Sequence, residues 1–416
     1  MTTTLQLPPL LGKVIPAATL GLAEGAVLLA MQTAVDSVVE PLAVEHDAAG
    51  RYPTRSIAAL KDSGVLALAV PVEFGGLGAS HRASLEAQLR LAIADSAVAQ
   101  IFKVHDELVR EIFVYCPPML REPLAARIVD GRHIIGLAVA EAGARVDASW
   151  NTTVVRDDDG YVLSGAKIYT TGAAEADEIA VWAFNPTVAG IDDNPLLGFQ
   201  LTLVPGAAPG VTVHRDWDAV GQRATDSGTI TFDGVQCLPA QRASEPGLAP
   251  LLQNAVRYQA GFAALLVGIG IGAMEAAVPF VNEKSRPWPS AQVDSAADDP
   301  LVRRLCGELT AELAAAYHAT MATADLLDAF ERGEISRTEL AVPIYAAKAV
   351  ASRAALHATS EIYALMGTRA AARGNGFDRF WRNARTLSLH DPLEWKHEEL
   401  GRHVLTSWDP PPGIYT

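Results

Sequence analysis

Apolar and polar positions alternate with three different rhythms along the chain. From about Ile15 to Asp130 apolar residues recur at helical spacing, with turn signals at 47–54 and 71–81. Between His133 and about Ala240 the period drops to two. Short β-rich runs at 134–140, 151–156, 161–170, 178–184, 198–204 and 227–235 are separated there by DDDG, DDNP and PGAAPG turns. A linker with Pro and Gly at 239–249 follows, and then helical spacing returns. The segments 250–284, 298–332 and 336–366 have the length and Ala/Leu content of bundle helices. The order predicts an α+β fold: an N-terminal helical domain (1–132), a central β domain (133–245) and a C-terminal helical bundle (246–416). No GxGxxG follows a strand in a βαβ context, so a Rossmann nicotinamide module is not expected.

Three local patterns refine this picture. The stretch Ala58 to Ser80 reads as a helix ended by Gly64, a short buried run and a turn at Gly75, Gly76 and Gly78; it lacks the Lys and Ser/Thr of a phosphate loop. Arg82 to Tyr115 reads as one helix, with His105 on the broad face of Ile101, Phe102 and Leu108, where a lone imidazole is most often a hydrogen-bonded core residue. In GFDRFWRNARTLSLHDP (376–392), Phe377, Phe380, Trp381, Ala384 and Leu387 form one apolar helix face. Arg379, Arg382, Asn383, Thr386 and His390 form a row of donors on another. Pro392 is expected to stop this helix and turn Asp391 away.

At 416 residues, half of them hydrophobic, the chain can bury a large core, and a net charge of -15 argues against a nucleic-acid partner. Cys116, Cys237 and Cys306 show no metal-ligand spacing, which fits a reducing cytoplasm and argues against structural zinc. The start shows no secretory pattern, and the apolar run Ala260 to Met274 is shorter than the roughly 18 to 20 residues a membrane span needs, so no membrane association is expected.

The 376–392 segment, SRPW around Arg286 and DWDAVGQRATDSG from Asp216 resemble flavin-dependent dibenzothiophene monooxygenases, a branch of the acyl-CoA dehydrogenase superfamily. The turn at Gly75 to Gly78, AEAGARVDAS (140–149), SGAKIYTTG (164–172) and MGTRAA around Arg369 carry the resemblance across nearly the whole chain. It implies a dehydrogenase-like fold and a homotetramer, with a homodimer as the alternative. It places Thr171 at flavin N5, Trp217 beside the flavin, Glu141 in the flavin-contact loop, and Arg286 and Arg369 on the flavin phosphate, a task suited to a planar guanidinium. Arg145 and Val146 stand where that loop usually has glycine and serine, and Leu387 where the monooxygenases have a second histidine.

The resemblance further implies a two-component monooxygenase. A separate NAD(P)H:flavin reductase would supply FMNH2 or FADH2, O2 would be co-substrate, and a C4a-hydroperoxyflavin would oxygenate a thiophene- or indole-like molecule at sulfur or carbon. His105 and His390 would hold and protonate the peroxide. Trp217, Phe377, Phe380, Trp381 and Asp391 would wall a dry substrate pocket. Two alternatives stand beside this: an acyl-CoA dehydrogenase using Asp391 as base, and an amine or amino-sugar N-hydroxylase. Asp391 falls on the dehydrogenases' glutamate base and Pro392 on their glycine, which weakens the first alternative.

Overall fold

A computed structural model describes residues 2–6, 11–143, 150–158, 160–247, 249 and 254–413. It opens with an antiparallel pair that the helical rhythm did not predict, β1 (Thr2–Leu5) on β2 (Ala18–Gly21). Helices α1 (Leu22–Ala34) and α2 (Glu40–Ala49) are joined through a π-helical turn into one rod, and α3 (Thr54–Ser63) ends at Gly64 with φ 78°, as the sequence suggests. The single helix expected over 82–115 is two: α4 (His81–Ala94) and α5 (Ser96–Tyr115). Asp95 makes the break. It leaves the helical region (φ -146°, ψ 106°), and its carboxylate accepts from the N–H groups of Ala97 (2.9 Å) and Val98 (3.4 Å), capping α5. Helix α6 (Pro118–Val129) leads into the sheet.

The strands are β3 (Ile135–Ala138), β4 (Thr153–Arg156), β5 (Tyr161–Lys167), β6 (Glu178–Phe184), β7 (Phe199–Pro205), β8 (Val211–Val213) and β9 (Ile230–Cys237). Their order is β3-β6-β4-β5-β9-β8, with β7 also on β6. β6 is parallel to β3 and β4, and the other pairings are antiparallel. β6 is buried at every position because both of its faces are covered. Ala180, Trp182 and Phe184 pack with Ile112, Phe113 and Leu124 of the helices, whereas Ile179, Val181 and Ala183 pack with Leu163 and Phe232 inside the sheet. One sheet face is thereby fixed on α5, the helix that carries much of the site.

The remaining helices are α7 (Asn254–Glu283), α8 (Pro300–Glu331), α9 (Arg337–Met366), α10 (Asp378–Ser388) and α11 (Leu393–Thr406). The length and apolarity of α7 would suffice to cross a bilayer, yet it is mostly buried among α4, α8 and α9. A Cβ at Gly268 or Gly272 would lie 2.5 Å from the carbonyl of Leu89 or 2.2 Å from that of Ile93, so these glycines let α7 and α4 approach backbone to backbone. The rod Leu22–Ala49 meets the same length and apolarity criterion with less of it covered. Pro392 does not end α10, which stops at Ser388; it is the N-cap of α11.

Candidate active site

Helix α10 is where the three parts of the chain meet. Phe380, Ala384 and Leu387 enter the core, and Phe377 stands edge-on to Phe280 at 5.5 Å. The donor row points elsewhere. Arg382 holds Asp47 (3.0 Å) and the carbonyl of Val220 (3.0 Å), and Asn383 Oδ1 accepts from the N–H of Gln222 (2.6 Å). At Gly221 a Cβ would lie 2.0 Å from the carbonyl of Arg382, so only a glycine lets the loop touch α10 this closely. The expected aromatic wall is not assembled. Phe380 is 4 % exposed and packed, Phe377 is committed to Phe280, and Trp381 is 41 % exposed on the outer side of α10. Arg379 and Phe380 border a cavity of about 390 Å³ with Asp36, Glu40 and Arg90, on the rod side of α10.

The loop held by Asn383 carries a hydroxyl relay. The hydroxyls of Thr171, Ser227 and Thr225 stand 3.0 and 2.7 Å apart, and the carbonyl of Gln222 lies 2.8 Å beyond Thr225. The same carbonyl accepts from Trp217 Nε1 at 2.9 Å, and Gln222 Nε2 donates to Ser96 at the start of α5 (3.0 Å). Gln222 (φ 54°) and Asp226 (φ 48°) are left-handed without being glycine, a strained geometry that roughly 1 to 3 kcal/mol each of surrounding structure must hold. Trp217, half-buried, meets the edge of Tyr169 at 5.9 Å, and Tyr169 is 63 % exposed. An exposed aromatic corner beside a chain of hydroxyls suits a flat heteroaromatic ring with polar edge atoms. Thr171 and Trp217, both expected, are therefore brought together by Ser227 and Gln222, which the sequence reading did not single out.

His105 is not part of this corner. Its Nδ1 accepts from the N–H of Ile135 (3.0 Å) and its Nε2 donates to the carbonyl of Leu66 (2.9 Å), with the ring fully buried. Burial pushes its pKa down to about 4. Both nitrogens are spent on joining α5 to β3 and to the 65–67 turn, so it has none left to protonate a substrate. Glu141 is corrected in the same way. Its oxygens accept from the N–H groups of Asn151 (2.8 Å) and Thr152 (2.9 Å) and pair with buried Lys167 (2.8 Å), which makes it a loop anchor. Ala144 to Asp147 of the flavin-contact motif lie outside the described residues.

His390, at the start of the turn into α11, is solvent-accessible, and its ring lies 4.2 Å from that of Phe262, itself 4 % exposed. The surrounding protein, and then the charges of Lys348 and Lys103, push its pKa down to about 3. Around the same phenyl ring stand Lys103 Nζ (3.9 Å from the centroid) and Lys348 Nζ (5.5 Å). Lys103 pairs with Glu107 at 2.7 Å. Asp391 is 5 % exposed and held by Lys348 and by Lys396 (3.5 Å), so it faces ammonium groups and is poorly suited to act as a base.

Arg286 and Arg369 are exposed, on loops that the Ser285 hydroxyl brings side by side by donating to the carbonyl of Met366 (2.8 Å). Their loops thus lie side by side, and an exposed guanidinium on each is the type of group that binds a phosphate. Elsewhere His81, Asp328 and Glu331 gather, but Arg110, 3.9 Å from Glu331, already supplies positive charge there.

Family models match most of the chain: acyl-CoA dehydrogenase N-terminal domain over residues 24–132, middle domain over 136–235 and C-terminal domain over 260–395. It is 34 % identical over 387 residues to a dibenzothiophene monooxygenase of Rhodococcus qingshengii, covering 89 % of this chain and 91 % of that protein. A probable FMNH2-dependent monooxygenase, SfnC, of Pseudomonas putida is 32 % identical over 388 residues, covering 90 % and 93 %. The crystal structure of FMN-bound TdsC from Paenibacillus sp. A11-2 superposes with a TM-score of 0.86 at 33 % identity, over 95 % of this chain and all of that one.

Proposed function

This chain belongs to the acyl-CoA dehydrogenase family, and we propose that within it the protein works as a monooxygenase that uses reduced flavin, FMN in the first instance, and O2 to oxygenate a sulfur compound or an indole-like ring. The observation that carries this reading is the exchange at the end of α10. The carboxylate at the dehydrogenases' base position, Asp391, is locked between Lys348 and Lys396, and the adjacent solvent-accessible group is the neutral imidazole of His390. Proton removal from an acyl-CoA needs the first group free; oxygenation needs the second.

Bound reduced flavin would supply the electrons that activate O2. The chain's own residues do the rest. Thr171 would offer its hydroxyl at the flavin edge, and because Ser227 can donate to either neighbour, Thr171 can present a proton or a lone pair. Trp217 would cover one side of the ring, and Arg286 with Arg369 would hold the phosphate. His390, uncharged near neutral pH, would hold the reacting oxygen by a hydrogen bond from its ring rather than by taking up a proton. Phe262, packed against the same ring, would give the site an apolar wall.

The three-domain division at 132 and 245, a separate NAD(P)H:flavin reductase, a cytoplasmic setting for the three free cysteines and a homotetramer complete the proposal. Half-exposed Leu22, Leu29 and Val44 along the rod are consistent with contacts between copies. The reading is tested by supplying photoreduced FMN and oxygen-18 gas with indole or dibenzothiophene. A product carrying the label supports it. Absence of labelled product, together with bleaching of enzyme-bound oxidised flavin by an acyl-CoA under nitrogen, would replace it with a dehydrogenase.

A further inference from the structure

The hydroxyl relay beside Trp217 is held at both ends. The carbonyl of Thr171 accepts from the N–H of Leu137 on β3 (3.1 Å), and the hydroxyl of Thr170 ties the same strand end to the carbonyl of Gly228 (2.7 Å). At the inner end Gln222 is fixed by Asn383 of α10 and by Ser96 of α5. Thr171, Ser227, Thr225 and Gln222 are all buried. The oxygens therefore keep their spacing, and only the hydroxyl hydrogens turn. Three hydroxyls carry three protons, and the chain ends on a carbonyl that has none to return. It cannot pass a proton through; it can only run in one of two directions. Thr225 donates to the Gln222 carbonyl (2.8 Å), which uses its one proton. The 2.7 Å contact between Thr225 and Ser227 then takes the proton of Ser227. Ser227 also stands as a donor 3.0 Å from Thr171, but it has no second proton to give, so the Thr171 hydroxyl turns its own proton inward and its lone pairs outward. In the opposite direction Ser227 donates to Thr171, and Thr225 must leave the carbonyl to donate to Ser227. One bond of the chain is then lost, although the carbonyl keeps Trp217 Nε1 (2.9 Å) and is not orphaned. The inward direction is favoured by that one bond.

Resting on the flavin monooxygenase reading, with Thr171 at flavin N5, we propose that Ser227 and Thr225 are positioning residues that set Thr171 to accept rather than to donate. The site then prefers reduced FMN, whose N5 carries hydrogen, over oxidised FMN, whose N5 offers only a lone pair. Such a bias suits a protein that takes its flavin reduced and gives it back oxidised. One net hydrogen bond corresponds to a roughly three- to tenfold difference in affinity. For a two-electron couple, at about 30 mV per tenfold, that difference raises the potential of bound FMN by roughly 15 to 30 mV.

The midpoint potential of bound FMN, measured under nitrogen by equilibration with redox dyes, tests this without turnover. Thr225→Val removes the donor to the carbonyl and leaves the Ser227 proton only Thr171 to serve, so the potential is expected to fall by roughly 15 to 30 mV. Ser227→Ala releases the Thr171 proton and should lower the potential in the same direction, which gives an independent reading if Thr225→Val does not fold. Thr225→Ser keeps the hydroxyl and should keep the wild-type value. In a Thr171→Val background neither change should matter. A wild-type potential in Thr225→Val or Ser227→Ala with FMN bound overturns the proposal. An equal shift when Thr171 is already Val does so too, because it would come from packing alone. Labelled oxygen in the product together with wild-type potentials in the variants removes this inference and leaves the monooxygenase. The expected shifts without any labelled product keep the relay and remove the monooxygenase. No FMN binding by the wild type in either oxidation state removes both.

Discussion

His105 and His390 show how little a residue's type says about its use. Both lie near large apolar groups, and both were expected to handle a proton, but the first has both ring nitrogens bonded inside the core while the second is reached by solvent. His105→Ala should orphan the N–H of Ile135 and the carbonyl of Leu66 and leave a cavity. With about 1 to 3 kcal/mol for each buried group, a loss of roughly 3 to 5 kcal/mol is expected, seen as a large fall in Tm. Turnover of the still-folded enzyme at low temperature should stay near wild type; a hundredfold loss there would return His105 to the chemistry. His390→Ala should do the reverse, abolishing oxygenated product while leaving Tm within a few degrees and FMN affinity within a few-fold. A variant that still turns over at the normal rate would remove His390 from the mechanism. Sequence could name these two imidazoles but not tell them apart, because a staple and a proton carrier differ only in what the two ring nitrogens meet across the fold.

At the scale of elements, the rhythm of the chain placed most helices and strands within a few residues, and its misses have physical causes. Asp95 reads as one polar residue in a long helical pattern, yet its carboxylate can cap a new helix, which divides 82–115 in two. β8 is three residues long, too short for a period of two to register. The buried lysines Lys103 and Lys348 were missed because each is a single charge in an otherwise apolar run, IFKVH and YAAKAV; Glu107, four residues after Lys103, was the available signal for the first. Contacts between elements were legible only through glycine, and Gly221 is the sharpest case. Gly221→Ala would place a methyl group 2.0 Å from the carbonyl of Arg382, pushing the 216–228 loop off α10 and breaking the bond from Gln222 to Asn383. FMN affinity is expected to fall about tenfold, more than Tm would suggest. Asn383→Ala, which removes the bond without the clash, should lower it by a few-fold, and equilibrium FMN titration of both variants checks the order. Wild-type affinity in Gly221→Ala would mean that the loop takes no part in holding the flavin.

Over the whole molecule, the helix, strand, helix order was readable because each rhythm persists for a hundred residues or more, whereas the balance of buried charge was not, since it depends on which helices meet. That balance sets the response to acid. His81 and His105 are buried and held neutral, each with its pKa down to about 4, so between pH 6.5 and 4 the unfolded chain binds protons that the native protein refuses. Stability therefore falls as pH drops through that window, by up to about 3 kcal/mol for each group. Glu107 and Glu111 act in the opposite direction. Raised to about 7 by burial, they are protonated in the native protein while still ionised in the unfolded chain, so between pH 7 and 4.5 acid stabilises the fold by a similar amount. The two carboxylates offset these two histidines down to about pH 4.5, but His390, its pKa also pushed down to about 3, adds to the histidine side. Below pH 4.5 the carboxylates have nothing more to give, the histidine loss continues, and Glu331, held down to about 2 beside His81 and Arg110, starts to lose its ionised-state contribution. Thermal midpoints at fixed ionic strength should thus decline gently from pH 6.5 to 4.5 and fall steeply below. A Lys103→Met, Glu107→Gln variant lacks one compensating carboxylate, so its midpoint should decline more steeply than the wild type's between pH 6.5 and 4.5. If the two decline alike, Glu107 is not the buried group that takes up a compensating proton.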